Sequence, residues 1–241
     1  MTLERIAHRG FSAIAPENTL AAFSLALKYG ADSIEFDLQL SADGVPVVFH
    51  DATLERLTGT PAPVSQTPLN ILKTYDIGAG FHQKFTGEII PTLDSALSVL
   101  KDIKSYLYFD IKPHSHWSDT AISSLLQLIQ NYQIQDRCII TSFSHQFLQA
   151  VRQQSPSIKI GCLVAEADHY LTTLEQAKQL NSVIISSEYQ ILLDHPEFVT
   201  LTRQQGIDVV AWTVDAPQHW QRLINLGVTR IVTNSLVDAI P

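Results

Sequence analysis

The chain is 241 residues long, with 45% hydrophobic residues and only 17% charged ones. That composition belongs to a folded domain with a substantial core and excludes extended disorder. The net charge of −8, with Lys and Arg never clustered, excludes a nucleic-acid surface.

Apolar runs such as 106–109 and 162–165 fall far short of the ~20 residues a membrane span needs, so no stable membrane insertion is expected. The opening Met1-Thr2-Leu3-Glu4-Arg5 lacks a basic region followed by an apolar one, so no secretory signal is expected. Cys138 and Cys162 lie in apolar, strand-like surroundings and read as reduced core thiols, which predicts a cytoplasmic protein.

Residues 5–8 form the first strand-like segment and end in His8-Arg9-Gly10. A helical pattern follows, with Leu20, Phe23 and Leu27 on one face and Ala22 and Ala26 small enough for close packing. Asn18-Thr19 gives its cap signal and Gly30 its end. Residues 33–40 form the second strand. Asp43-Gly44 then turns the chain into an antiparallel arm over 45–49, a hairpin partner rather than a barrel strand, ending in His50-Asp51. The stretch 52–91 is punctuated by Pro61, Pro63, Pro68 and Pro91. An insertion that long in a compact domain predicts a cap over a functional site. Within it, Ile77-Gly78-Ala79-Gly80-Phe81 is too short for a dinucleotide fingerprint.

Strand-like segments resume at 106–112, 138–143, 158–164, 182–187, 207–214 and 230–233. His114 and His116 follow Pro113 and read as an exposed loop. Ser144 caps a helix over 145–154, and Ala216-Pro217 opens one that ends at Gly227. Eight strands mostly followed by helices, with no linker or compositional break across 1–241, predict one α/β domain, a (β/α)8 TIM barrel.

In such a barrel the loops after the strands build the active site. Glu35 and Asp37 are two apart on the second strand and share a face, as do Asp110 and Lys112 on the third barrel strand. Together with His8-Arg9 and His50, they bring three carboxylates, two cations and two histidines to one rim. Unpaired buried charge is costly, so this convergence predicts an enzyme. Trp212, at a later strand end, is expected to line the site floor.

These motifs, read in order, resemble the glycerophosphodiester phosphodiesterase family over essentially the whole chain. The residues that carry the likeness are His8-Arg9-Gly10, Pro16-Glu17-Asn18-Thr19, Glu35-Phe36-Asp37, Asp43-Gly44 through His50-Asp51, Thr53-Leu54-Glu55-Arg56, Ile90-Pro91-Thr92-Leu93 and Trp212-Thr213-Val214. The resemblance implies a metal-dependent barrel hydrolase that cleaves a small glycerophosphodiester to an alcohol and sn-glycerol 3-phosphate. By position it implies one divalent cation, Mg²⁺ or Ca²⁺, on Glu35, Asp37 and Asp110, and an acid-base pair in His8 and His50. Arg9 and Lys112 would contact the phosphate, with Trp212 beside the glycerol carbons. The family usually carries Glu where Asp110 stands. Aspartate is one methylene shorter, so it would bind either directly to a shifted ion or through a water.

The chemistry agrees with the resemblance. An all-oxygen cluster selects a hard cation, and histidine suits both proton steps near neutral pH. Two competing functions remain at this stage. A phospholipase of the same barrel superfamily would need an apolar rim for the bilayer. An inactive barrel that only binds phosphoryl ligands would need no pair of histidines.

Overall fold

The computed structural model describes residues 3–237; the ends of the predicted 1–241 domain, residues 1–2 and 238–241, lie outside the described residues. In chain order the strands are β1 (Glu4–His8), β2 (Ser33–Leu40), β3 (Pro46–Val48), β4 (Leu107–Ile111), β5 (Cys138–Ser142), β6 (Lys159–Val164), β7 (Ile184–Glu188), β8 (Asp208–Trp212) and β9 (Arg230–Thr233). Eight of them are parallel and close into a barrel, because β1 pairs with both β2 and β9. The ninth, β3, runs antiparallel to the last third of β2, pairing Leu38 with Val48 and Leu40 with Pro46. It occupies the edge that β1 leaves free, since β1 reaches only as far as Glu35. The hairpin and the eight-strand barrel thus stand as the sequence predicts, with strand ends shifted by a residue or two.

All eight residues of β2 are buried, although the strand alternates apolar and polar. The barrel explains why. Ile34, Phe36 and Leu38 face the surrounding helices and join the main core, while Glu35, Asp37 and Gln39 face the barrel's interior and rim. Inside the barrel one layer of apolar side chains forms a floor: Ile6, Tyr108, Ile139, Ile184, Val210 and Val232. Moving two residues along most of these strands reaches the next layer, His8, Asp110, Thr141, Ser186 and Trp212, which lines a cavity. Below the floor, Glu4 accepts hydrogen bonds from Ser33 Oγ (2.5 Å) and Tyr108 Oη (2.9 Å) and pairs with Arg230 (3.0 Å), closing the other end.

Thr19 caps the first helix, Leu20–Lys28, by accepting from the Ala22 amide. Asn18 is no cap. It sits at φ 59°, and its amide side chain turns to Asp37 instead. The 52–91 insertion holds more regular structure than its prolines imply. Short turns at Glu55–Thr58, Val64–Gln66 and Leu69–Leu72 gather a small core of Leu54, Val64, Leu72, Ile77 and Ile90 against Val47 and Phe49, while a further turn at Gln83–Phe85 packs Phe85 against Ala15 and Ala22. Among the described residues no helix is long and apolar enough to cross a membrane.

Candidate active site

Strand register assembles the site. Pairing β1 with β2 sets His8 beside Glu35, and pairing β2 with β4 sets Asp37 beside Asp110. The carboxylates of Glu35, Asp37 and Asp110 are buried, each offering an oxygen within 4.8 Å of the others. Lys112 reaches over them from the end of β4, its Nζ 2.8 Å from Asp37 Oδ1 and 2.5 Å from Asp110 Oδ2. Arg9 closes the other side. Its Nη1 donates to Glu17 Oε1 at 2.7 Å and its Nε lies 3.1 Å from Asp37 Oδ2. The Arg9 backbone, at φ 53°, turns its N–H onto Glu35 Oε2 at 3.1 Å. Gly10 completes that turn at φ 79°, where a side chain would meet the Ala22 carbonyl carbon at 2.7 Å.

These contacts divide the three carboxyls. Burial alone would raise Asp37, but Lys112 and Arg9 outweigh it and hold the group far below the usual range. Burial, with Asp37 and Asp110 close by, pushes Glu35 well above its ordinary value. Asp110 is raised by burial and by Asp37, against the pull of Lys112. Among the buried atoms without a hydrogen-bond partner are Asp110 Oδ1, an acceptor, and Arg9 Nε, a donor out of line with Asp37. A carboxylate oxygen without a partner beside a second carboxyl disfavoured in its charged form is a donor set that could take a cation. The residues fit a hard divalent ion.

Each histidine presents Nε2. Asn234 Nδ2 donates to Asp215 Oδ2 at 2.7 Å, so Asn234 Oδ1 is the acceptor for both Ser12 Oγ and His8 Nδ1–H, at 2.8 and 2.7 Å. Neutral His8 therefore carries its lone pair on Nε2, 3.9 Å from Glu35 Oε2. Burial, with the neighbouring Arg9, lowers its pKa to about 4. His50 Nδ1 donates to Asp51 Oδ1 at 2.6 Å. Gln39 secures this arm by donating from Nε2 to the carbonyls of Phe49 and Asp51, on either side of His50.

His8, Arg9, Glu35, Asp37, His50, Asp110, Lys112 and Trp212, the eight residues singled out from sequence, all line one cavity of about 270 Å³. Tyr108 from the floor layer, with Phe143, Leu163 and Trp212, adds apolar and aromatic lining, and the Trp212 Nε1 is buried and unpartnered. Among the described residues, none from 52–91 lines it. The insertion reaches the site through Arg56 instead. His114 and His116 are exposed, as expected. Sequence reasoning missed Gln39 and Asp215, and gave Asn18 and Asn234 no role as supports. For Asp215 the available signal was its place directly after Trp212-Thr213-Val214.

A closed β/α barrel whose C-terminal rim gathers carboxylates, cations and imidazoles in one cavity defines a barrel enzyme for an anionic substrate. The model of the glycerophosphoryl diester phosphodiesterase family matches residues 8–237. A glycerophosphodiester phosphodiesterase of Caldanaerobacter subterraneus subsp. tengcongensis is 35% identical over 233 residues, covering 95% of this chain and 93% of that one. Among solved structures, an Oleispira antarctica phosphodiesterase in complex with the product sn-glycerol-3-phosphate superposes with a TM-score of 0.89 at 29% identity, over 96% of this chain and 92% of that one. A glycerophosphodiester phosphodiesterase from Agrobacterium tumefaciens gives 0.81 at 27% identity, over 99% and 98%. The chain belongs to the glycerophosphoryl diester phosphodiesterase family and is a phosphoric diester hydrolase.

Proposed function

We propose that the chain hydrolyses small glycerophosphodiesters to an alcohol and sn-glycerol 3-phosphate at the rim cavity, with one divalent cation and a pair of histidines. The observation that carries this is the gathering of two free imidazole Nε2 atoms and a carboxylate cluster in one cavity. Glu35, Asp37 and Asp110 would hold Mg²⁺ or Ca²⁺, which on binding would neutralise charge on the phosphoryl oxygens. Arg9 contributes its guanidinium charge to the phosphate, and Lys112 a point charge on the opposite side. Trp212 and Phe143 form an apolar wall for the glycerol carbons.

The partners of the histidines divide their roles. His8 leans on a neutral amide and stays unprotonated near neutral pH, which suits removal of a proton from the nucleophile. His50 donates from Nδ1 to a carboxylate that fixes the ring's orientation with Nε2 toward the cavity, and it is assigned donation to the leaving alkoxide. The whole chain, 1–241, acts as one catalytic domain in this reading, and 52–91 caps the β2 side of the rim through its first turn. Two buried free thiols, Cys138 and Cys162, support a reducing, cytoplasmic setting.

Release of sn-glycerol 3-phosphate from glycerophosphocholine, followed with and without chelator, tests the proposal. Activity lost to chelator and restored by Mg²⁺ or Ca²⁺ is the expected result. His8→Ala and His50→Ala should each lower kcat by about 10²-fold or more. Full turnover in chelated buffer would remove the ion, and a near-parental kcat in either variant would remove that histidine.

A further inference from the structure

The first turn of the insertion, Glu55–Thr58, is braced within the insertion and packed through Leu54 on Val47 and Phe49 of the β3 arm. Leu54 before it is fully buried and donates its N–H to the Ala62 carbonyl, Thr58 Oγ1 donates back to the Leu54 carbonyl, and Gly59 ends the turn at φ 73°. From this turn Arg56 extends across the rim, its side chain 46% exposed. Nη1 and Nη2 donate to Glu17 Oε2 and Oε1 at 3.0 and 2.7 Å, and Nε donates to Asp51 Oδ2 at 2.5 Å. Neither carboxylate ends there. Asp51 Oδ1 accepts from His50 Nδ1, and Glu17 Oε1 accepts from Arg9 Nη1.

We propose that Arg56 is a positioning residue that couples the two halves of the site: through Asp51 it sets His50, and through Glu17 it sets Arg9. The proposal rests on the roles given above to His50 and Arg9. The guanidinium is the one side-chain group whose planar fork can grip one carboxylate with two N–H groups and a second with the third nitrogen. A lysine, as a single point donor, satisfies one arm at the expense of the other. Exposed ion pairs usually contribute little, but a bidentate pair tied into a network is the exception. It also gives the insertion a catalytic reason to be there, although it lines no part of the cavity.

The plain alternative is that Arg56 merely fastens the insertion to the barrel. That alternative moves the melting temperature and leaves the kinetic constants alone. The coupling predicts a partition. Glu17→Gln, which loosens the Arg9 arm, should mainly raise KM. Asp51→Asn, which loosens the His50 arm, should mainly lower kcat. Arg56→Ala should do both, with a combined loss in kcat/KM of about 10- to 100-fold. Because both arms run through one group, Arg56→Ala/Asp51→Asn should lose little more kcat than Asp51→Asn alone.

The test is steady-state kinetics of glycerophosphocholine hydrolysis on the whole chain, well below each variant's melting temperature, with Arg56→Lys and Arg56→Gln alongside in case the alanine variant fails to fold. Guanidinium at non-denaturing concentration can reach this exposed position, and should restore part of both constants in Arg56→Ala without helping the parent. Parental kcat and KM in the folded Arg56 variants would overturn the coupling, as would losses that guanidinium does not repair and that add fully in the double variant. A parent that releases no sn-glycerol 3-phosphate would instead overturn the function proposed above, so the two failures are distinct.

Discussion

His8 and His50 offer the same nitrogen to the cavity but lean on different neighbours. His8 is enclosed, its Nδ1–H spent on an amide that Asp215 itself orients. Its pKa falls from 6.5 to about 4, through burial first and Arg9 second. The sign for stability follows. Between about pH 4 and 6.5 the unfolded chain binds a proton at His8 that the native chain refuses, so this contribution to stability is lost as pH falls through that window. Replacing His8 with Asn removes the contribution. The stability of the parent relative to His8→Asn, from urea unfolding in chelated buffer, should therefore fall by roughly 2 kcal/mol between pH 7.5 and 4.5. Comparing the two proteins cancels the opposing trend from Glu35, whose raised pKa makes the native state hold a proton that the unfolded state releases. A flat difference across the window would mean that His8 is not held neutral.

Strands place the chemistry, and one of them does so by lacking a side chain. Gly161 on β6 stands in the floor layer, where a Cβ would come within 2.4 Å of Ile184 Cγ1 and 3.2 Å of Thr141 Cγ2. A methyl group there must push Ile184 aside, directly beneath Ser186 and Leu163 in the cavity wall. Gly161→Ala should cost about 1–3 kcal/mol on denaturant unfolding and raise KM, and the same change should cost less in an Ile184→Ala background, which lacks the Cγ1 that must give way. Unchanged stability in Gly161→Ala would mean that the floor is looser than its contacts imply. At this scale the sequence was readable wherever a local period carried the information. Glu35 with Asp37, and Asp110 with Lys112, could be placed on shared faces because side chains alternate along a strand. The supports could not. Asn234 and His8 are 226 positions apart and meet only because β9 closes against β1. Asn18 resembles a cap in sequence because Thr19 beside it is one. The turns of the insertion are three or four residues long, too short for any hydrophobic period to register.

Taken whole, an acidic molecule with a net charge of −8 concentrates three buried carboxylates where an anionic substrate must bind. Lys112 and Arg9 return two positive charges, and both lean on Asp37 rather than on Glu35. Glu35 is left as the carboxyl that the native state tolerates least, and a divalent ion would relieve it. An ion that needs this assembled cluster binds the native chain and not the dispersed ligands of the unfolded one, so it raises stability by mass action, about 2.7 kcal/mol at a hundred times its Kd. At roughly 2–4 °C per kcal/mol for a chain of this size, that is a rise of several degrees in melting temperature over chelated protein. Of Mg²⁺ and Ca²⁺, the one producing the larger rise at equal concentration is the better fit to a cluster shortened at Asp110. Glu35→Gln separates this from a general effect of salt. Neutralising the least favoured carboxyl keeps an acceptor for the Arg9 N–H and removes repulsion, so the chelated variant should melt no lower than the chelated parent. Because the proposed ligand is gone, the same variant should also show little rise when the ion is added. Equal ion-induced rises in the parent and in Glu35→Gln would place the cation elsewhere on this acidic surface and take the carboxylate cluster out of the mechanism.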